Sequence, residues 1–238
     1  MRRAIWFWFD RMKRSITHRG LGGTFKKAVR HGWSFATPAG WMERQFDSRF
    51  GVSTSGRIDR WDLGVTGANL LNAVEYRPTP VDAFIRIIGG LDIKYEDWVF
   101  VDLGAGKGRA LLLASHFPFR QIIGVEFSPE LAEVAKKNLC RYSNPQQKCH
   151  NLTILCKDAT EFSFPLNNVV LYLNNPFDGA VMKRVLDNID YSLIQNPRGV
   201  RIVYWNPFSA NLFEKRQTLV KTENGTQYCL YRSSASAI

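Results

Sequence analysis

The sequence is poor in the residues that build disulfide scaffolds and hydrolytic centres. Its four cysteines, Cys140, Cys149, Cys156 and Cys229, form no C-x-x-C pair. A disulfide-stapled fold is thereby excluded. Three of the four surround a strand placed in the core, so they read as buried thiols of a reducing, cytoplasmic compartment. The histidines are also few and scattered, at His18, His31, His116 and His150. No H-E-x-x-H and no G-x-S-x-G occurs, which removes zinc-protease and serine-hydrolase chemistry. Cys140, Cys149, His150 and Cys156 match no zinc finger or ribbon in their spacing, so no metal is expected. Long apolar runs are missing as well: none reaches the roughly 20 uncharged residues that span a bilayer. Near the start, Ala4 to Phe9 is cut short by Asp10 and Arg11, and no small-residue cleavage site follows. That pattern argues against export.

What is present is a globular composition, 45% hydrophobic and 22% charged in 238 residues. It suits one well-cored α/β domain with an appendage and excludes disordered, collagen-like and coiled-coil chains. Acidic residues are scarce only at the front. Residues 1–60 hold 13 Lys and Arg against 4 Asp and Glu, whereas residues 61–238 hold 19 against 17. The chain divides accordingly into a basic aromatic extension, 1–60, and a main domain, 61–238. In the extension Ile5, Trp8, Phe9, Met12 and Ile16 recur at helical spacing among Arg2, Arg3, Arg11, Lys13 and Arg14. Such a helix can pack on the core, lie on an anionic membrane surface as a peripheral anchor, or bind a polyanion such as nucleic acid.

From Tyr76 onward strands and helices alternate. Thr79-Pro80-Val81-Asp82 predicts a helix start with Thr79 as N-cap, and Val81, Phe84, Ile85 and Ile88 form its buried stripe before Gly89-Gly90. Apolar runs then predict strands at Trp98–Leu103, Gln121–Glu126, Leu152–Lys157, Val169–Leu173 and Val200–Trp205, with helices between them. Thr218–Lys221 and Gln227–Tyr231 read as a hairpin turned at Asn224-Gly225. The pattern predicts an α/β, Rossmann-like, doubly wound fold: a mainly parallel seven-stranded sheet with a C-terminal antiparallel hairpin and a basic helical N-terminal extension.

The loop after the first strand, Asp102-Leu103-Gly104-Ala105-Gly106-Lys107-Gly108-Arg109, carries glycines at alternate positions. These allow a sharp bend and let a ligand lie against the backbone. The spacing is G-x-G-x-G, not the G-x-G-x-x-G of dinucleotide binders. Glu126 closes the second strand 20 residues after Gly106, where a carboxylate can accept hydrogen bonds from both hydroxyls of a ribose. Together they indicate a ribosylated, nucleoside-like cofactor.

Val101 to Arg109, followed by Ile123-Gly124-Val125-Glu126-Phe127-Ser128-Pro129-Glu130, resembles the first two motifs of the seven-β-strand, class I, S-adenosylmethionine-dependent methyltransferases. With Phe46-Asp47 and Phe50-Gly51 upstream and Asn175-Pro176-Phe177 downstream, the pattern is similar to uncharacterised bacterial methyltransferases of that class. The resemblance implies that Asp102, Gly104, Ala105, Gly106 and Gly108 hold the methionine part of S-adenosyl-L-methionine. By the same resemblance Glu126 takes the ribose diol, Phe127 flanks the adenine, and Asp158-Ala159 reads its amino edge. Tyr76-Arg77-Pro78-Thr79-Pro80 is similar to the Tyr-x-Pro-Thr-Pro element of some seven-strand protein-lysine methyltransferases, whose threonine lies near the cofactor carboxylate.

At the end of the fourth strand Asn174-Asn175-Pro176-Phe177 resembles the Asn/Asp-Pro-Pro-Tyr/Phe motif of amino-group methyltransferases, with Asn175 where that motif has proline. There a side-chain oxygen and a backbone carbonyl accept hydrogen bonds from the target amine while the aromatic ring packs on it. The resemblance implies a nitrogen acceptor, a protein lysine or another amine, with Asn174 also beside the cofactor. Glu75 and Tyr76 are the nearest candidates for a base. Two alternatives stand beside this reading: a nucleic-acid methyltransferase that uses the basic arm, and a membrane-recruited cofactor-binding module. Asn206-Pro207-Phe208 repeats the tripeptide after the fifth strand; it reads first as a turn, with lining of the acceptor side as the alternative.

Overall fold

A computed structural model describes residue 17, residues 38–59 and residues 74–234. The basic amphipathic helix expected within residues 1–20 lies outside the described residues, apart from Thr17. Among the described residues no helix is long and apolar enough to cross a membrane.

Five strands, β1 (Trp98–Leu103), β2 (Gln121–Glu126), β3 (Leu152–Cys156), β4 (Asn168–Asn174) and β5 (Val200–Trp205), run parallel. β6 (Leu219–Asn224) and β7 (Tyr228–Ser233) form the closing hairpin, and β7 inserts antiparallel beside β5. The sheet order is β3-β2-β1-β4-β5-β7-β6. The chain therefore leaves β1 toward one edge and returns through β4 on the other side. Helices are α1 (Pro38–Phe50), α2 (Val81–Gly89), α3 (Arg109–Ala114), α4 (Pro129–Arg141), α5 (Gly179–Gln195) and the single turn α6 (Ala210–Phe213).

The alternation of side chains along each strand feeds two cores. Phe100, Ile122, Val170 and Tyr172 face one side, where Phe84 and Ile88 of α2, Leu111 and Leu112 of α3 and Ala135 of α4 cover them. Val99, Val101, Leu103, Ile123, Leu171 and Ile202 face the other, against Met182, Val185, Leu186 and Ile189 of α5. Both faces of β1 and β4 are buried, which is why these strands read as unbroken apolar runs. α1 and residues 51–59 pack on the first side: Phe46 and Val52 join its core, and Phe46, Phe50 and Tyr142 form an aromatic cluster.

Two local expectations are corrected. Thr79 is not the N-cap of α2; that position is Pro80, with no side-chain cap, because the helix starts one residue later and the Thr79 hydroxyl is engaged by Tyr172. The cysteines are not uniformly buried. Cys149 and Cys229 are buried, but Cys140 and Cys156 are exposed, Cys156 because β3 is an edge strand. Ser128 caps α4 by accepting from the Leu131 amide at 3.3 Å, and Asp178 caps α5.

Candidate active site

The strand order reverses between β1 and β4, and in open parallel sheets ligands bind at that point, beyond the carboxyl ends of the strands. The structure places a cleft there. It is lined by Tyr76, Thr79, Asp102, Gly104, Ala105, Gly106, Glu126, Phe127, Asn174, Asn175, Pro176 and Phe177. Three residues of the expected set are not brought to it. Gly108 is the left-handed N-cap of α3 and faces Ala135 and Leu139 of α4. Asp158 caps a short 3-10 turn by accepting from the Thr160 amide and hydroxyl, each at 2.8 Å, and Ala159 is buried on the α5 side.

The glycine loop is held by β2: the amides of Gly104 and Ala105 both donate to the Val125 carbonyl, at 2.9 and 3.0 Å. From there the Gly106 amide reaches Glu126 Oε2 at 2.8 Å, while the Ser128 amide donates to Oε1 at 2.9 Å. Backbone amides thus hold the Glu126 carboxylate in place, that of Phe127 adding to those of Gly106 and Ser128. Two adjacent acceptors are what a vicinal diol requires. Burial pushes the Glu126 carboxyl up to about 7 against the opposing pull of its backbone hydrogen bonds. Asp102 is equally buried; burial, reinforced by Glu126, pushes it well above the usual carboxylate range. It lines the same cleft, where a cation or donor group could meet it.

Gly104 and Gly106 both have φ in the left-handed region, 82° and 54°. The space that their missing Cβ leaves is not ligand space, contrary to the expectation from the sequence. A Cβ at Gly104 would lie 2.4 Å from Cβ of Pro176, and one at Gly106 would lie 2.3 Å from the Tyr76 ring. The two glycines admit these side chains, so the cleft is walled by Tyr76 and Pro176 as well as by the loop. Tyr172 donates its hydroxyl to Thr79 Oγ1 at 3.3 Å, fixing the threonine at the mouth of the cleft.

The opposite wall is amide-rich. Asn174 Nδ2 donates to the Arg77 carbonyl and its Oδ1 accepts from Asn206 Nδ2, both at 3.2 Å. Asn175, at φ 43°, accepts from the Tyr204 hydroxyl at 3.3 Å, and that hydroxyl accepts from the Ser209 amide at 3.2 Å. A second, adjoining pocket is lined by Glu75, Arg77, Asn174, Asn175, Asn206 and Phe208. Glu75 is paired with Arg77 at 3.0 Å. Tyr76 donates its hydroxyl to the Thr54 carbonyl at 2.7 Å, and burial pushes its phenol far up. In sequence, Asn206 and Phe208 read first as a turn, with a place on the acceptor side as the alternative. The repeat of Asn-Pro-Phe at the ends of two strands is the available signal, but only the sheet order makes those strands neighbours.

Residues 100–193 match the family model of a methyltransferase domain. A curated relative, the release factor glutamine methyltransferase of Vibrio cholerae serotype O1, is 48% identical over 75 residues, which cover 30% of this chain and 26% of that protein. The match thus spans about a quarter of the relative's length. Among solved structures, the 23S rRNA methyltransferase ErmE is similar over 66% of this chain and 69% of its own, with 12% identity and a TM-score of 0.47. An RNA methyltransferase from Salinibacter ruber in complex with S-adenosyl-L-homocysteine is similar over 66% of this chain and 92% of its own, with 19% identity and a TM-score of 0.42.

Residues 100–193 thus match a methyltransferase domain and lie on a Rossmann-like sheet. The cofactor that this match implies is S-adenosyl-L-methionine. The residues present fit it: two buried carboxyl groups, Asp102 and Glu126, line the cleft, and the glycine loop bends beside them.

Proposed function

We propose that the protein transfers a methyl group from S-adenosyl-L-methionine to a nitrogen acceptor, a protein lysine or another amine. The observation that carries this reading is the side-chain amide of Asn174, held from both ends at the border of the donor cleft and the adjoining pocket. When bound, the cofactor supplies an electrophilic methyl on a sulfonium. Asp102 would hold the ammonium of its methionine part, Glu126 its ribose hydroxyls, and Thr79 its carboxylate at the start of α2, where the helix dipole favours an anion. Oδ1 of Asn174 keeps a lone pair after its bond with Asn206 and accepts an N–H from the acceptor, which turns the nitrogen lone pair toward the donor. Asn175 shapes the backbone beside it, and Phe177 backs the wall from the core. No metal is called for. Since the Tyr76 hydroxyl is tied to a carbonyl, the group best placed to receive a proton from an ammonium acceptor is Glu75, within reach of both pockets.

The test is incubation of the full chain with radiolabelled donor and an extract from cells lacking the protein, followed by fractionation. Label in protein or small amines is the expected result. Label confined to nucleic acid would favour the alternative in which the basic arm binds a polyanion. Vesicle association without any transfer would favour the membrane-recruited module.

A further inference from the structure

The donor cleft has a component that lies far upstream of it in sequence. Between α1 and Tyr76 the chain forms a strap, residues 51–58, bonded at Thr54 and Ser55 to Arg109 and Lys107 and at Ser53 to Asn138 of α4. Asp47 at its base accepts four hydrogen bonds: from the Thr54 amide at 2.8 Å, the Thr54 hydroxyl at 2.6 Å, the Ser55 amide at 2.7 Å and Arg109 Nη2 at 3.3 Å. Arg109, the first residue of α3 and 2% exposed, also donates Nε to Thr54 Oγ1 at 2.7 Å and Nη2 to the Glu43 carbonyl at 2.9 Å. Burial works against the Asp47 carboxylate, yet the hydrogen bonds from Thr54 and Ser55 hold it below the ordinary range, so it is a charged partner for that guanidinium. Further along, Lys107 Nζ donates to the Ser55 carbonyl at 2.6 Å, and Asn138 bridges the carbonyls of Ser53 and Lys107 at 3.2 and 2.9 Å.

The strap ends on Tyr76. A two-way main-chain bridge joins Ile58 and Tyr76, at 3.2 and 2.7 Å, and the Tyr76 hydroxyl donates to the Thr54 carbonyl at 2.7 Å. Lys107 sits 5.3 Å from the ring centroid, and the ring itself fills the space above Gly106. Each of these restraints on the Tyr76 ring comes from the strap or from the glycine loop, and the Asp47–Thr54–Arg109 cluster ties those two together. We infer that Asp47, Thr54 and Arg109 are positioning residues of the donor site: they fix the Tyr76 ring over Gly106, so that donor affinity depends on a segment outside residues 100–193. This inference rests on the reading of the cleft as the donor site.

The experiment is titration calorimetry of S-adenosyl-L-homocysteine into the full chain, with a thermal unfolding scan of each variant. Thr54→Val removes the hydroxyl that links Asp47 to Arg109, and Kd rises about tenfold, whereas Thr54→Ser keeps Kd at the wild-type value. In a Tyr76→Leu background the same Thr54→Val change leaves Kd within about twofold, because the side chain through which it acts is gone. Equal fold-changes in both backgrounds, or a lowered Tm with Kd unchanged, would show a merely structural cluster and overturn the inference. Should Thr54→Val not fold, Tyr76→Phe decides: it keeps the ring and drops the tether, with an expected Kd increase of about fivefold, and an unchanged Kd overturns the inference. Wild-type protein that fails to bind the ligand refutes the donor reading itself, a result distinct from either of these.

Discussion

Asn175-Pro176-Phe177 and Asn206-Pro207-Phe208 are one tripeptide used twice, after the adjacent strands β4 and β5. Both open on an asparagine in the left-handed region, with φ 43° and 49°, a conformation that asparagine tolerates better than most residues. Their phenylalanines part company: Phe177 is 9% exposed and Phe208 82%. The difference comes from the element that each turn feeds. Phe177 leads through the cap Asp178 into α5, whose 17 residues cover one face of the sheet, and Pro176 closes on Gly104. Phe208 leads only into a one-turn helix. The first turn is welded to the donor loop; the second is a rim that reaches back to it through Asn206 and Tyr204. Identical sequence thus yields a wall in one place and a lip in the other.

The most forceful way to break this comparison is to truncate each ring. Phe177→Ala is expected to cost about 3–4 kcal/mol of folding stability and Phe208→Ala under about 0.5 kcal/mol, read from denaturant midpoints. Equal costs would mean that the two turns do not differ as described. Next in size is a pH effect confined to the welded end. Glu126, with its carboxyl pushed up to about 7, is protonated more readily in the free folded protein than in the unfolded chain. Its contribution to stability is therefore fully present below about pH 4.5 and is lost as pH rises through about 7, a fall of about 3 kcal/mol at most. Glu126→Gln should flatten that part of the stability profile, and a profile unchanged by the substitution would remove Glu126 as its source.

Asn174→Ala should lower turnover of labelled donor about 100-fold with the Kd for S-adenosyl-L-homocysteine unchanged, since the amide serves the acceptor side. A parallel loss of ligand affinity would move Asn174 to the donor side. The smallest effect expected is that of Asn206→Ala, about tenfold in turnover, because it acts on the same amide from one side only. A loss as large as that of Asn174→Ala would make the rim as important as the wall.

Much of the fold was legible because burial on both faces leaves continuous apolar runs. Trp98–Leu103, Gln121–Glu126 and Val200–Trp205 are strands with the bounds that their sequence indicates. The bend of the glycine loop was legible because its glycines and Glu126 belong to a single strand-loop-helix-strand unit, joined in space at 2.8 Å. The strap was not: Asp47 and Arg109 are 62 residues apart, and no local pattern pairs them. One hint existed, a lone arginine opening the buried run Ala110 to Ala114, for a charge there demands a partner. Thr79 misled because a threonine before Pro-Val-Asp has the composition of a cap, whereas its hydroxyl is taken by Tyr172 across the sheet. Cys156 misled because an apolar strand at the edge of a sheet looks, in sequence, like one in the middle.

The central claim, that the bend after Leu103 and the carboxylates of Asp102 and Glu126 form a seat for a sulfonium nucleoside, is tested most directly by calorimetric titration of the full chain with S-adenosyl-L-methionine and with NAD. One molecule of S-adenosyl-L-methionine bound per chain, with no heat from NAD, is the predicted result. Binding of NAD alone would contradict it.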